Sequence, residues 1–263
     1  NLVKLSANRE IKQPTLHPFW VMVQKEVSDH VRSLRFKILI ALIAMTCIGS
    51  LYVALMNIRE AVSGQNAVHS FVFLKLFTTS GKSLPFPYIS FISFLAPLLG
   101  IGLGFDAINS ERSNGTLGRI MSQPIHRDYL INAKFTGALI VISAMFFSLG
   151  FLVMGLGLIA IGIPPTPEEF WRVILYIILS IVYVAFWLNL SILFSIRFRQ
   201  ASTSALSSLG VWLFFIIFYG LLIHLVDSAT ALPQGASYQQ LLLHKHIIMF
   251  FNRLSPQELF NEA

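Results

Sequence analysis

Long stretches without Asp, Glu, Lys or Arg alternate along the chain with short polar segments. A helix of about 20 apolar residues, rising about 1.5 Å per residue, crosses the roughly 30 Å hydrocarbon core of a bilayer. Five apolar stretches are long enough to predict membrane-spanning helices. The predicted spans are residues 38–57, 88–105, 135–163, 173–196 and 204–226. This pattern predicts an all-α polytopic membrane protein.

The segment before the first span has the two-sided pattern of an amphipathic helix. Apolar residues recur there at three- and four-residue steps, and Pro18 suits a first helical turn. We expect an interfacial helix over about residues 18–36 that lies along the membrane surface. Its apolar face comprises Trp20, Val23, Val27, Val31 and Leu34. The charged residues on the other face are Lys25, Glu26, Asp29 and Arg32.

Small residues in the second span predict a helix-packing surface. Gly100 and Gly104 have the GxxxG spacing that lets two helices approach closely in lipid, and Pro97 lies one turn before them.

Two capping patterns predict helix starts elsewhere. In TPEEFW, Thr166 is expected as the N-cap of the fourth span, with Glu169 completing a capping box. The motif SPQEL repeats the pattern and predicts a short helix beginning near Pro256. Five spans would leave the C-terminal segment outside, so we expect a sixth span to follow it.

Composition and basic residues refine this topology. Hydrophobic residues make up 55% of the 263 and charged residues only 12%, about half the usual share in a soluble domain. With the N-terminus inside, 13 Lys and Arg residues fall on the cytoplasmic side and 6 on the other, as the positive-inside rule requires. The net charge of +7 follows this topology, so we expect no nucleic-acid partner. We predict a multi-pass protein of the cell (inner) membrane, with a cytoplasmic segment 1–36, a transmembrane domain 37–226 and an extracytoplasmic segment 227–263.

Candidate catalytic and metal sites are sparse in the sequence. GKS at 81–83 lacks the upstream glycine of a phosphate-binding loop, because position 76 is leucine. His244 and His246 have no neighbouring Cys, Asp or Glu to complete a metal site. The predicted spans contain no Asp, Glu, Lys or Arg, which ion-coupled transporters usually need at membrane depth. We expect a non-catalytic subunit that binds no metal or cofactor itself.

A polar segment, residues 105–128, lies between the second and third spans. Gly115 after Asn114 suits a turn, and a short apolar face follows it. That face comprises Leu117, Ile120 and Met121, and Pro124 is expected to end the element. The residues alone leave two interpretations open: a cytoplasmic docking element, or a solvated loop that carries positive-inside charges.

Residues 104–139 resemble the ER-x-x-GTL…P-x-x-R…K signature of ABC-2 type ABC transporter permeases. The segment is more similar to the branch that includes permeases of bacterial multidrug and nitrous-oxide-reductase maturation systems. The order of interfacial helix, span, outer loop, span and motif loop also resembles the family over most of the chain. The matching positions are Asp106, Ile108, Glu111, Arg112, Gly115, Thr116, Leu117, Pro124, Arg127 and Lys134.

The resemblance implies a type V exporter-like helical bundle and a division of labour between subunits. Two cytoplasmic ABC ATPase subunits would hold ATP and Mg, and a second permease copy or paralogue would complete the membrane domain. The polar segment would be the coupling helix that contacts the ATPase. Glu111 and Arg112 would position it through ion pairs, and Leu117, Ile120 and Met121 would form the buried contact.

Two other functions remain open at this stage. A membrane assembly or maturation factor would use ATP hydrolysis to act on an extracytoplasmic partner. A passive channel would have no ATPase at all. Membrane lipid is an expected partner in each case.

Overall fold

A computed structural model of the chain describes residues 17–62, 88–122, 127–162, 164–230 and 238–262, and these residues contain helices and no strand. The helices, in chain order, are α1 (Pro18–Arg32), α2 (Leu34–Val62), α3 (Tyr88–Gly104), α4 (Asn109–Ser113), α5 (Thr116–Met121), α6 (Arg127–Ile161), α7 (Pro167–Arg197), α8 (Ala201–Leu213), α9 (Tyr219–Ala229), α10 (Tyr238–Asn252) and α11 (Pro256–Glu262), with a π-helical segment Phe214–Phe218 between α8 and α9.

Four helical stretches in the described residues are long and apolar enough to cross a membrane. They coincide with the second to fifth predicted spans and include α3, α6, α7 and the run from α8 to α9. The first predicted span lies within α2, a helix of 29 residues. The predicted all-α, multi-pass architecture is confirmed, and the sixth span stays a prediction.

The helices α3 and α7 pack so closely that their backbones touch. A Cβ atom added at Gly100 would lie 2.7 Å from the carbonyl oxygen of Val184. One added at Gly104 would lie 2.9 Å from the carbonyl oxygen of Leu188. The small residues of the GxxxG pattern therefore form this contact, which we call the neutral seam.

Hydrogen bonds join α3 to α7 along the neutral seam. Pro97 has no N–H, so the carbonyl of Ser93 one turn earlier has no helical partner. The hydroxyl of Tyr183 donates to that carbonyl at 3.1 Å. Two turns further along, the hydroxyl of Ser191 donates to the carbonyl of Ile101 at 3.2 Å. The Tyr183 hydroxyl thus satisfies a carbonyl that lipid cannot, whereas the Ser191 hydroxyl adds a second hydrogen bond to a carbonyl that already accepts from the N–H of Phe105.

The helices α2 and α6 complete the bundle around the neutral seam. Side chains from all four helices meet in one apolar core. The largest fully buried ones include Ile43 of α2, Leu99 of α3, Ile142 of α6 and Trp187 of α7. The run from α8 to α9 lies at the edge of this bundle, because almost none of its apolar surface is buried.

The helix α1, for which the sequence predicted an interfacial position, ends at Arg32, earlier than residue 36 where the sequence predicted its end. Ser33 has extended backbone angles, and its hydroxyl accepts a hydrogen bond from the N–H of Phe36 at 3.2 Å. Its hydroxyl also donates to the carbonyl of His30 at 2.8 Å. A single residue therefore ends α1 and caps α2, and α1 packs against α6.

The predicted helix starts at Thr166 and Pro256 are confirmed. The Thr166 hydroxyl accepts from the N–H of Glu169 at 3.3 Å, and the Glu169 carboxylate accepts from the N–H of Thr166 at 3.0 Å. This reciprocal pair is a complete capping box at the first turn of α7. The short helix α11 begins at Pro256 and buries Phe260.

Candidate docking loop and its ionic support

Residues 105–122, which we call the docking loop, form two short helices after α3. They are α4 and α5, separated by Asn114 and Gly115. Gly115 has a φ of 69°, in the left-handed region that other residues adopt only with strain. Nothing lies within 4 Å of a Cβ atom added there, so the backbone angle is what requires glycine.

The first half of the docking loop is fixed to the end of α7. The buried hydroxyl of Ser195 accepts from the N–H groups of Ile108 and Asn109, at 3.0 and 3.3 Å. These N–H groups open α4, so Ser195 caps a helix from another part of the chain. With its amide nitrogen as donor, Asn109 bonds to the carbonyl of Phe198 at 2.9 Å. The Arg112 guanidinium donates to the same carbonyl at 3.4 Å.

Four charged residues, Lys25, Glu26, Glu111 and Lys134, form an ionic cluster beneath the loop. The ammonium of Lys134 lies 3.0 Å from a carboxylate oxygen of Glu26 and 3.4 Å from one of Glu111. The ammonium of Lys25 lies 3.2 Å from Glu111 and 3.3 Å from Glu26. The cluster joins α1, the docking loop and α6.

The two positive and two negative charges of the ionic cluster balance, and this lets all of them except Lys25 be buried. The Lys134 side chain is only 5% exposed, and such a charge is tolerated when paired carboxylates surround it. Partial burial disfavours the charge of Lys25, but attraction to Glu26 and hydrogen bonds to Glu111 outweigh this and raise its pKa above the usual range. The Thr116 hydroxyl also donates to the Glu111 carboxylate. Lys25 therefore stays charged across the physiological pH range.

Two further groups border the ionic cluster. Burial lowers the pKa of His30, although nearby Glu26 opposes this shift. The guanidinium of Arg35 pairs with Asp106 and lies 4.9 Å from the centre of the Phe105 ring. The ion pair between Arg35 and Asp106 joins the start of α2 to the start of the docking loop. A cavity of about 680 Å³ opens between these groups and the cluster.

Glu26 corrects the face predicted for α1. The sequence pattern placed Glu26 on the solvent side, whereas its side chain is buried against α6. The buried side of α1 includes Val23 and Glu26, because Lys134 offers Glu26 a partner. Of the predicted apolar face, Val23 is buried, Val27 is half-buried and three members are exposed. The exposed members are Trp20, Val31 and Leu34.

The second half of the docking loop, α5, buries none of its residues. Leu117 and Ile120 are half-exposed and Met121 is 43% exposed. These three side chains form an apolar surface that projects from the ionic cluster, and we call it the apolar knob. Pro124 and the side chain of Arg127 lie outside the described residues.

Other candidate groups do not form a chemical site. Among the described residues, no group of three or more His, Cys, Asp or Glu side chains could hold a metal ion. The His244 ring lies 2.9 Å from a carboxylate oxygen of Asp227, which makes a pair between α10 and α9. His246 lies 3.2 Å from the carbonyl of Leu242 on its own helix.

Sequence patterns alone did not single out several residues that support the docking loop. Ser195 and Arg35 were not recognised, because their partners are 71 to 87 residues away along the chain. Lys134 was noticed as a motif position without a role. The usable signal was its place directly before the third predicted span, where a charge close to the membrane needs a partner.

Comparison with known proteins agrees with this architecture. Residues 20–263 match the model of the family described as ABC-2 family transporter protein. A probable ABC transporter permease protein NosY of Stutzerimonas stutzeri is 26% identical over 209 residues, which cover 79% of this chain and 70% of that protein. A protein of the same name from Pseudomonas aeruginosa is 28% identical over 207 residues, covering 77% of this chain and 68% of that protein.

Proposed function

Because the chain belongs to the ABC-2 family of transporter proteins and is a membrane subunit of an ABC transporter, we propose that it exports a substrate with energy from ATP hydrolysed by separate cytoplasmic subunits. The observation that carries this proposal is the apolar knob. An exposed apolar helix on a rigid support is the form expected of an element that docks into a partner.

The apolar knob supplies the contact with the ATPase in this proposal. Full burial of a Leu, Ile or Met side chain contributes about 1.5–3 kcal/mol, and docking would gain part of this for each side chain. Between the apolar side chains of the knob, α5 carries Gly118 and Arg119. Both are exposed, so a groove on the partner can close around the helix. In this proposal ATP and Mg bind to the partner subunits.

The docking loop has the connections needed to transmit movement. Its first helix is fixed to the end of α7 through Ser195, and Glu111 joins it to α1 and α6 through the ionic cluster. A push on α5 therefore reaches three helices at once. We propose that the spans tilt between inward- and outward-open states in response.

The remaining subunits of the proposed complex are two ATPases and a second permease copy or paralogue. The run from α8 to α9 offers a surface for the second permease, because an apolar stripe along it is exposed. The stripe comprises Leu206, Leu213, Ile217, Leu221 and Leu225. The basic residues on the predicted inner side support a cytoplasmic docking loop and an inner-membrane location.

The composition of the predicted spans supports a partner subunit as the source of energy for transport. The predicted spans contain no Asp, Glu, Lys or Arg that could couple transport to an ion gradient. The same absence would also suit a passive channel. Association with an active ATPase distinguishes the two functions.

The test is co-purification of the full chain with its ATP-binding subunit in mild detergent. We expect the wild type to retain the ATPase, and a Leu117→Asp, Ile120→Asp variant to lose it, because docking would bury two unpaired charges. ATPase activity is followed in each eluate.

The matched control adds the same two charges to the loop without removing an apolar contact. Ser113 and Ser122 are exposed, and their hydroxyls bond only to nearby backbone carbonyls. The Ser113→Asp, Ser122→Asp variant should retain the ATPase. If the knob variant also retains it with unchanged activity, or if the wild type never binds it, the docking proposal is wrong and a passive channel is favoured.

A further inference from the structure

An apolar pocket of about 430 Å³ lies beside α7, far from the docking loop. Tyr183 in its wall is near the middle of the 31-residue helix α7, so the pocket is at hydrocarbon depth if α7 crosses the bilayer. The main lining residues are Val182, Tyr183 and Phe186 of α7, Phe215 of the π-helical segment, and Leu259 and Phe260 of α11.

The pocket offers almost no hydrogen bonds to an occupant. Its lining includes one hydroxyl, that of Tyr183, which already donates to the carbonyl of Ser93 at 3.1 Å. The ring of Phe260 stacks on that of Tyr183 with centroids 4.7 Å apart and closes one wall. An occupant must therefore be hydrocarbon, because a polar group placed there would lose its partners.

The opposite wall of the pocket faces outward from the bundle. Val182 and Phe186 line it and are 59% and 47% exposed. On a membrane-spanning helix, such side chains face lipid or another membrane helix. An alkyl chain can therefore enter sideways from the bilayer.

A polar cavity of about 320 Å³ adjoins this pocket, and Phe215 lines both. The helix α11 separates them: Leu259 and Phe260 line the apolar pocket, whereas Gln257 and Glu258 line the polar cavity. The other polar residues around the cavity are Tyr219, His224, Asp227, Asn252 and Ser255.

The charge of the polar cavity indicates which head group it would accept. Two carboxylates line it, Asp227 and Glu258, and its described lining contains no Lys or Arg. Asp227 is paired with His244, which leaves Glu258 as a carboxylate available to a cation. An anionic head group would meet repulsion there, and an amine would meet attraction.

We propose that the two cavities together bind a membrane amphiphile, with its alkyl chain in the apolar pocket and an amine-bearing head group in the polar cavity. This site is independent of the docking loop and of ATPase binding. Phosphatidylethanolamine has the required chemistry and serves as the probe.

The test is photo-crosslinking in lipid nanodiscs that contain a small fraction of a lipid with a diazirine on its acyl chain. The complete chain is compared with phosphatidylethanolamine and phosphatidylglycerol probes of the same chain length. We expect at least about threefold more labelling of the α7 and α11 peptides by the ethanolamine lipid, since a threefold ratio needs only about 0.6 kcal/mol of preference.

Two variants and one control identify the site. Val182→Trp fills the pocket and should remove the labelling, whereas Ile159→Trp adds similar bulk at an exposed position on α6 and should leave it. Glu258→Lys should reverse the head-group preference. Unchanged labelling in Val182→Trp would mean ordinary surrounding lipid and would overturn the proposal. Equal labelling by both lipids would overturn the head-group assignment, and no labelling of these peptides by either lipid would overturn the proposal as a whole.

Discussion

The helix α3 and the loop that follows it are held by two very different contacts. The neutral seam with α7 uses glycines, backbone contact and hydroxyl groups, and it contains no charge. The ionic cluster uses two lysines and two glutamates, all of them largely buried except Lys25. Shape sets the strength of the first contact and charge balance sets that of the second. The seam should therefore respond gradually to added volume, whereas the cluster should fail when any one charge is removed.

Cys47 provides one readout for both contacts. It is the only cysteine in the sequence and is buried in the core, so a thiol-reactive dye reports unfolding during heating in detergent. The predictions below use this measurement, and they run from the largest expected effect to the smallest.

Removing Lys134 should have the largest effect. In Lys134→Ala, two glutamates stay buried with only the more exposed Lys25 as a partner, and breaking a buried ion pair costs about 3–5 kcal/mol. Thermal unfolding should move to a much lower temperature. Adding Glu26→Gln and Glu111→Gln to the same variant should restore part of the loss. If Lys134→Ala unfolds like the wild type, the cluster contributes nothing to stability.

A methyl group added to the neutral seam should have an intermediate effect. Gly100→Ala brings Cβ to 2.7 Å from the Val184 carbonyl, and because backbone cannot rotate away, we expect a loss of about 1–3 kcal/mol. Gly155→Ala is the control, because nothing lies within 4 Å of its added Cβ atom. The control should unfold at or slightly above the wild-type temperature. Equal behaviour of the two variants would show that α3 and α7 can separate at little cost.

Substitution of Tyr183 measures how much its hydrogen bond to the Ser93 carbonyl contributes to stability, since Pro97 leaves that carbonyl without a helical partner. Tyr183→Phe removes the donor to Ser93, and hydrogen bonds of this kind in membranes contribute roughly 0.6–1.7 kcal/mol. In a Pro97→Ala background, residue 97 regains an N–H for the same carbonyl, so the tyrosine substitution should cost less. A double-mutant cycle measures the difference. If Tyr183→Phe lowers the free energy of unfolding equally in the wild type and in Pro97→Ala, the tyrosine does not compensate for the missing proline N–H and this prediction is wrong.

Acidification should have the smallest effect, through His30. Burial lowers the pKa of its imidazole in the folded state, so the unfolded chain binds the proton more readily. This contribution to stability is present above a pH of about 6.5 and is lost as the pH falls through the lower folded pKa. The charged groups facing His30 are Glu26, Asp29, Asp106 and Lys134. His30→Gln should lessen the pH dependence of unfolding, and identical profiles for both proteins would contradict the assignment.

Much of the fold could be predicted from the sequence because the residues of each segment determine its structure. The spans follow from runs of apolar residues, and the start of α7 follows from the spacing of Thr166 and Glu169. The close contact at Gly100 could be expected from residue size alone. These features depend on neighbours within a few positions, which a single sequence displays.

The support of the docking loop could not be predicted, because it depends on distant pairs. Glu26 and Lys134 are 108 residues apart, so the pattern around Glu26 indicated only a charged residue on an amphipathic helix. The cap that Ser195 provides to α4 is equally distant. The pocket beside Tyr183 needs three helices to define it, and α11 in particular shows no sequence sign of where it packs.

Two hydrogen bonds along the neutral seam share one numerical offset. Tyr183 bonds to Ser93 and Ser191 bonds to Ile101, and each pair is separated by 90 residues. The two helices therefore run in the same direction with a common register over about two turns. Sliding α3 along α7 by one turn, about 5.4 Å, would break both bonds together. We therefore expect α3 and α7 to move as one rigid body. They can tilt or rotate together, but sliding one helix along the other is costly because it breaks both hydrogen bonds.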